Sequence, residues 1–350
     1  MKLNYEPLSK HIQLVDYRNS GEVTSTVLGI SIDKEFMPSV ANVIGTDLSR
    51  YKLLSKGLFA CNPMHVGRDE RLPIALYEKD IPAIVSPAYF MFEIIDRDVL
   101  NEEYLMMWFR RPEFDRECWF MTDGSVRGGI TWDDLCRIKL PVPSYERQCE
   151  IVESYRAITD RIALKRAEND NLEAVLAASH SKMFFSKDTS EHTKLGELMT
   201  FGNGKSRPKT DGPIPVYGGN GVLSYTDHHN IENAVLIGRV GAYCGSVYLE
   251  QGICWVSDNA IFAKSKITKD EFFDYFLLKR LNLFNHHVGT GQQLLTQEIL
   301  NNIEVPKPVT EQIELFNRKA ASVFETIFTN SREIIRLQEL SDLLLSRLAG

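Results

Sequence analysis

The polar residues best suited to chemistry lie on short loops. Phe201 to Pro213 reads FGNGKSRPKTDGP and sets Lys205, Ser206, Arg207 and Lys209 on a Gly- and Pro-rich segment with no acidic residue until Asp211. Cations on such a backbone suit contact with phosphate groups. Two further loops, SVRGG at 125–129 and TGQQL at 290–294, offer different side chains: Ser125 and Arg127 in one, Gln292 and Gln293 in the other. An arginine fork matches a guanine edge and an amide matches an adenine edge, so these residue types fit the reading of bases. Asn220 in the GGNG turn, Arg239, Arg68 and Arg71 complete the set of polar candidates.

No catalytic or metal-binding constellation accompanies them. Gly204-Lys205-Ser206 resembles the end of a phosphate-binding loop, but the earlier glycine of that loop falls on Met199, and Pro208 opposes the helix that would hold the phosphate. Asn62-Pro63-Met64-His65 lacks the second proline and the stacking aromatic of an adenine methyltransferase motif, and no Gly-rich cofactor loop precedes it. His228-His229 and His286-His287 are adjacent pairs, a spacing that does not converge on one metal from a strand or helix. Six cysteines (Cys61, Cys118, Cys136, Cys149, Cys244, Cys254) form no Cys-x-x-Cys pair and read as reduced, mostly buried thiols. The expectation is no catalytic residue and no metal ligand in this chain.

The elements that position these loops occur twice. Residues 124–143 (GSVRGGITWDDLCRIKLPVP) and 289–308 (GTGQQLLTQEILNNIEVPKP) match at one constant offset in Gly124 and Gly289, Thr131 and Thr296, Leu135 and Leu300, Ile138 and Ile303, and both proline pairs. A long helical pattern follows each copy. Positions 151, 155, 158, 162, 165, 169, 172, 176, 179 and 183 keep a four-three spacing, as do 316, 320, 323, 327, 330, 334, 337, 341, 344 and 348. Each is a coiled-coil seam with a polar middle. At about 1.5 Å per residue, rods of this kind reach roughly 50–60 Å and cannot bury a stripe in one small domain. Two rods in one chain most simply cover each other. If the copies are related by an approximate two-fold axis the pair is antiparallel, and Asn169 and Asn330 meet near mid-rod and set the helix register.

Between the rods the pattern is α+β. Residues 195–265 alternate β-rich runs (215–217, 234–237, 246–249, 254–256, 260–263) with Gly and Asn turns, and an amphipathic helix is expected over 270–285, with 100–118 playing that part in the first copy.

Composition limits the function classes. The 350 residues carry 40 Lys plus Arg against 47 Asp plus Glu, a net charge of −7, with 43% hydrophobic residues. Residues 1–150 hold 18 basic and 23 acidic side chains, and 201–300 hold 9 of each, so neither half has a basic excess. A sequence-independent DNA-coating protein is excluded, and sequence-independent attraction to a polyanion is left to local loops or to a partner. No run approaches the roughly 18 apolar residues of a spanning helix and no signal-peptide core opens the chain, so a cytoplasmic location without membrane contact is expected.

The tandem order, the boundaries TWDDLCRIKLPVPSYERQ and TQEILNNIEVPKPVTEQ, the long helices after them, and KLGELMTFGNGKSRPKTDGPIPVYGGNGVLSYTD followed by VLIGRVGAYCGSV and WVSDNAIFA together resemble the specificity subunits of type I restriction-modification systems. The resemblance covers essentially the whole chain and is strongest over 120–350. It implies two tandem pseudo-repeated α+β target recognition domains (1–142 and 191–306) separated by long α-helices (143–190 and 307–350) that form an antiparallel coiled coil. Each domain would read one half of a bipartite site on double-stranded DNA. The helices would fix the gap, about one duplex turn of roughly 34 Å or a multiple, and dock two methyltransferase subunits. Motor-nuclease subunits would join in the full complex. S-adenosylmethionine, ATP and Mg would be used by those partners, and this chain would bind no cofactor and catalyse nothing. Two other readings use the same features: a coiled-coil scaffold with protein-binding domains, and a self-contained DNA methyltransferase or nuclease with an unrecognised site.

Overall fold

The computed structural model describes residues 4–40, 45–64, 66–122, 128–185, 191–289 and 291–348. The repeat of sequence is also a repeat of structure. Helices Trp132–Arg137 and Gln297–Asn302 have the same length and are followed at the same spacing by strands Lys139–Pro141 and Glu304–Pro306 and by long helices that start at Tyr145 and Thr310. Local chemistry explains the coincidence. Thr131 and Thr296 are N-caps whose hydroxyls accept the amides of Asp134 and Ile299, satisfying donors that a helix start leaves open. Each strand then pairs antiparallel with the first strand of its own half, Tyr5–Pro7 or His192–Lys194.

The chain divides into two compact units, Met1–Leu164 with Glu333–Gly350, and Lys165–Arg332. Both long helices, Tyr145–Phe184 and Thr310–Arg347, contribute residues to each unit.

In the first unit the central sheet is antiparallel in the order Ile12–Leu14, Phe90–Ile94, Phe59–Cys61, Ile74–Leu76. Side chains alternate along a strand, and here both faces are covered. Phe59, Cys61, Ile74 and Phe92 face the helices, while Ala60, Ala75 and Met91 face the opposite cluster with Leu54 and Val85. Helices Glu102–Phe109 and Pro112–Phe120 form the helical layer. The sequence predicts one helix over 100–118; Pro112 ends the first helix because it disfavours helical backbone in the residue before it, and Arg111 is extended. Phe109 packs edge-on against Phe59 at 6.0 Å. Val152 and Tyr155 of one long helix join the same core as Leu345 of the other and Leu348 just past its end. Buried Gln148 fastens the first long helix to the domain: its Oε1 accepts from Asn101 N–H at 2.8 Å and its Nε2 donates to the Val99 and Pro143 carbonyls.

The second unit is built on six strands in the order Met199–Asn203, Ala260–Ser265, Ile231–Gly238, Val247–Val256, Ile214–Gly218, Gly221–Thr226. All neighbours are antiparallel except Ile214–Gly218 with Val247–Val256. The runs expected at 246–249 and 254–256 are one strand, paired to Ile231–Gly238 across a bulge between Glu232 and Ala234. The helix expected over 270–285 spans Phe272–Arg280 and stops where Asn282 turns left-handed at φ 45°, before a short 3-10 turn at Leu283–His286. Buried Asn317 of the second long helix plays the part that Gln148 plays in the first unit, accepting from Phe273 N–H at 2.8 Å and donating to Thr268 Oγ1 and the Asp270 carbonyl.

Within the second unit the long helices run antiparallel. Asn169 lies opposite Asn330, while Phe184 lies opposite Phe316, their rings 6.0 Å apart. In the first unit Arg161 pairs with Glu333. No helix among the described residues is long and apolar enough to cross a membrane.

Candidate nucleic-acid interface

In the second unit, long-range pairing collects most of the polar loop residues at one end of the sheet. Lys205 N–H donates to the Val256 carbonyl at 2.9 Å, and Ser257 N–H donates to the Tyr217 carbonyl at 2.9 Å. The Gly219 carbonyl, next to Asn220, accepts from Ser246 Oγ at 2.5 Å. Arg239 N–H donates to the Asn259 carbonyl at 3.0 Å, its own carbonyl accepts from Leu295 N–H at 2.9 Å, and Gly241 N–H donates to the Gln293 carbonyl at 3.1 Å. Lys205, Asn220, Arg239 and Gln293, spread over nearly ninety positions of sequence, are thereby tied to one network of loops. Two glycines permit the packing. A Cβ on Gly204 would stand 1.9 Å from the Ser257 carbonyl oxygen, and one on Gly238 would stand 2.2 Å from that of Tyr243.

The charges there are available. Lys205, Ser206, Arg207 and Lys209 are exposed, as are Asn220 and Gln292, while Gln293 and Arg239 are half-buried. Among the described residues no carboxylate pairs with Lys205, Arg207, Lys209 or Arg239. No helix follows Ser206; the next element is strand Ile214–Gly218, so Gly204-Lys205-Ser206 does not open a phosphate-binding helix. Three residues that loop chemistry did not single out belong to the same end: exposed Asn259, Tyr243 at 51% exposure, and buried Ser257, whose hydroxyl has no partner among the described residues. The polar turn Ser257-Asp258-Asn259 was a local signal for two of them, and Tyr243 had none.

In the first unit the arrangement differs. Arg68 is engaged by its neighbour Asp69, with nitrogen–oxygen distances of 2.6 and 2.8 Å, and this ion pair holds its guanidinium pKa above the ordinary value. Arg71 donates to Asp33 at 3.2 Å. Ser125 and Arg127 lie outside the described residues. The end of their loop does meet the segment that carries Arg68: Ile130 N–H donates to the Pro63 carbonyl at 3.1 Å, and Gly67 N–H donates to the Gly128 carbonyl at 3.0 Å.

The histidine pairs are placed in turns. His228 contacts Asp227 at 2.5 Å and His287 contacts the Phe284 carbonyl at 2.5 Å. Asp227 is held below the usual carboxylate range, chiefly by its hydrogen bond from Thr210 and then by His228. Among the described residues no three His, Cys, Asp or Glu side chains converge as metal ligands. All six cysteines are free.

Comparison with known proteins agrees with this architecture. Residues 187–343 match the family model described as "Type I restriction modification DNA specificity domain". No protein of curated function matches the chain. The type I restriction-modification S subunit of M. genitalium is 15% identical, with 99% of this chain and 96% of that one aligned at a TM-score of 0.60. A chain from a study of complex assembly and conformational transition in the type I R-M system aligns at 17% identity over 100% and 99%, with a TM-score of 0.48. The HsdS subunit of Thermoanaerobacter tengcongensis aligns at 16% identity over 99% and 96%, with a TM-score of 0.39. Residues 187–343 therefore resemble the type I restriction modification DNA specificity domain, and the chain as a whole has the fold of a type I restriction-modification S subunit.

Proposed function

We propose that this chain is the DNA-reading subunit of a type I restriction-modification complex, with one half of a bipartite site read by each unit. The observation that carries the reading is the loop end of the second unit, where unpaired cations at 205–209 stand beside Asn220, Arg239 and Gln293 on loops held by backbone hydrogen bonds. Cations hold phosphate and position the chain; amides and the arginine fork discriminate bases. The net charge of −7 supports a division of labour, because a chain with no basic excess contributes little sequence-independent attraction. Two methyltransferase subunits, docked on the long helices, supply most of the clamp on the duplex and bind S-adenosylmethionine. Motor-nuclease subunits use ATP and Mg. The chain itself is not catalytic, uses no cofactor, and acts in the cytoplasm, where the duplex is.

The long helices act as a ruler. Tyr145–Phe184 has 40 residues and Thr310–Arg347 has 38, roughly 60 Å of rod at about 1.5 Å per residue.

Genome-wide mapping of methyladenine in cells with and without the chain tests the proposal. Two short words separated by a fixed gap are expected, and seven residues inserted in both helices, preserving the seam, lengthen the gap and leave both words unchanged. A changed word with an unchanged gap rules out the ruler. The purified chain alone, incubated with DNA and S-adenosylmethionine or Mg²⁺, is expected to leave the DNA unaltered; activity there points to a self-contained enzyme.

A further inference from the structure

We propose that Arg239 reads a guanine in the half-site met by the second unit, while Lys205, Arg207 and Lys209 contact phosphates and carry no sequence information; this rests on the reading above that the loop end of this unit faces DNA. Three observations set Arg239 apart from the other cations.

Its backbone is pinned from both sides. It directly follows strand Ile231–Gly238, which lies between Ala260–Ser265 and Val247–Val256 inside the six-stranded sheet. Its N–H is held by Asn259 and its carbonyl by Leu295, and the next residue, Val240, pairs with Leu294. The backbone of Lys205 is also held, its N–H by the Val256 carbonyl and its carbonyl by Trp255 Nε1, but its ammonium is a point charge on an exposed four-carbon stem, and Arg207 and Lys209 lie within the long loop that follows. A rigid support keeps a planar arginine fork oriented, which a bidentate contact to a base edge requires and a point-charge contact to phosphate does not.

Its side chain has no partner among the described residues. The Nε is buried without a hydrogen bond, and the guanidinium meets no acceptor or carboxylate among the described residues. Arg68 and Arg71 already hold carboxylates, and Arg207 is exposed to water. A half-buried cation without an acceptor is costly in the free protein, and that cost is recovered when acceptors arrive. Ser257, 2% exposed, presents a second unpartnered group on the turn whose Asn259 carbonyl holds Arg239.

Its surroundings suit a base. The loops tied to Arg239 and its neighbours Gly238 and Gly241 carry Asn220, Asn259, Gln293 and Tyr243, all donors as well as acceptors. Guanine N7 and O6 form the acceptor pair that an arginine fork matches in the major groove.

Methyladenine is mapped genome-wide in cells carrying the methyltransferase partner and either the unaltered chain, Arg239→Lys, Arg239→Ala, or Lys205→Ala with Lys209→Ala. Both Arg239 variants are expected to accept other base pairs at one position, G·C for the unaltered chain, in one half-site only. Discrimination there falls on the order of 10- to 100-fold. The lysine variant lowers methylation at all sites alike and keeps the motif. The assignment to guanine is overturned if the Arg239 variants keep the full motif at any level of methylation, or if the relaxed position is not G·C. If an Arg239 variant methylates nothing, its assembled complex is titrated with duplexes carrying the mapped site and single-pair changes of it. Lost preference for G·C at an unchanged salt slope supports the proposal; a uniform loss with a shallower slope makes Arg239 a phosphate contact and overturns it. If the lysine variant leaves methylation untouched, the DNA-facing reading fails as well, and the two failures are told apart.

Discussion

Asn330 donates from Nδ2 to Asn169 Oδ1 at 2.9 Å, joining the two long helices at the polar middle of their seam. The bond sits in a small network. Lys165 Nζ donates to Asn330 Oδ1 at 2.9 Å, Asn330 Nδ2 also donates to Glu168 at 3.1 Å, and Asn169 Nδ2 reaches Ser331 Oγ at 3.4 Å. Asn330 is 3% exposed, so its amide depends on these partners. A slip of the helices would set it against apolar seam positions, leaving buried polar groups unpaired at about 1–3 kcal/mol each. We propose that the pair sets the register of the two helices.

Replacing both asparagines with leucine is expected to raise thermal stability, since apolar packing in place of a buried polar network is often neutral or favourable. The same change admits alternative registers or oligomers, seen as mixed species by analytical ultracentrifugation. Asn330→Ala alone lowers stability by about 1–3 kcal/mol, because Asn169 Oδ1 loses the amide that donates to it and Lys165 loses the Asn330 carbonyl oxygen. A double variant that is less stable and still a single species removes the register role.

Lys34 and Asp115 hold the first unit together in a comparable way. Lys34 Nζ lies 2.6 Å from Asp115 Oδ1, also donates to the Phe109 carbonyl, and stands 5.0 Å from the centre of the Phe114 ring. Asp115 Oδ1 also accepts from Leu72 N–H at 3.0 Å. Burial lowers the lysine pKa, and Asp115 offsets part of that shift. Lys34→Met strands a buried carboxylate and is expected to cost about 3–5 kcal/mol. Lys34→Met with Asp115→Leu recovers most of it, read from urea denaturation of the first unit.

The boundaries of the long helices were legible because the repeat sets Thr131 with Thr296 and one proline pair with the other at a single offset. The Asn282 break was not, because an asparagine adopts left-handed backbone only where the surrounding fold demands it. The candidate loops were readable as chemistry, but their convergence was not. Arg239 meets Asn259 and Leu295 through sheet pairing that no local spacing encodes, and the carboxylates that occupy Arg68 and Arg71 do not reveal their geometry in sequence.

Two buried groups give the second unit opposite responses to pH. His180 is ringed by Phe184, Phe273 and Phe316, and its Nε2 has no partner. Burial, aided by Arg280, pushes its pKa down to about 3. Its contribution is complete above the ordinary histidine range and is lost as pH falls toward about 3. Asp274 is pushed up to about 8, by burial first and by Glu271 second, against Ser265 and Lys264. The folded state keeps that proton where the unfolded chain has lost it, so stability falls as pH rises from the carboxylate range to about 8. Asp274→Asn is expected to raise the melting temperature at pH 9 and change it little at pH 4. His180→Phe flattens the acid limb instead. Unchanged limbs in both variants refute the assignment.

Neutralising Lys205, Arg207 and Lys209 separates holding from reading. Each phosphate that a cation no longer neutralises lowers the steepness of log affinity against log salt by about 0.9. The triple alanine variant, assembled with the proposed methyltransferase partner, should therefore have a slope shallower by up to about three units between 50 and 200 mM salt. Cognate and scrambled duplexes should weaken by similar factors, leaving their ratio unchanged. The side chains are exposed and unpaired, so removing them costs the fold little, and a large fall in melting temperature would point instead to a structural role. A slope that stays put while the cognate-to-scrambled ratio collapses would invert the assignment, making these cations the readers and leaving the backbone to the partner alone.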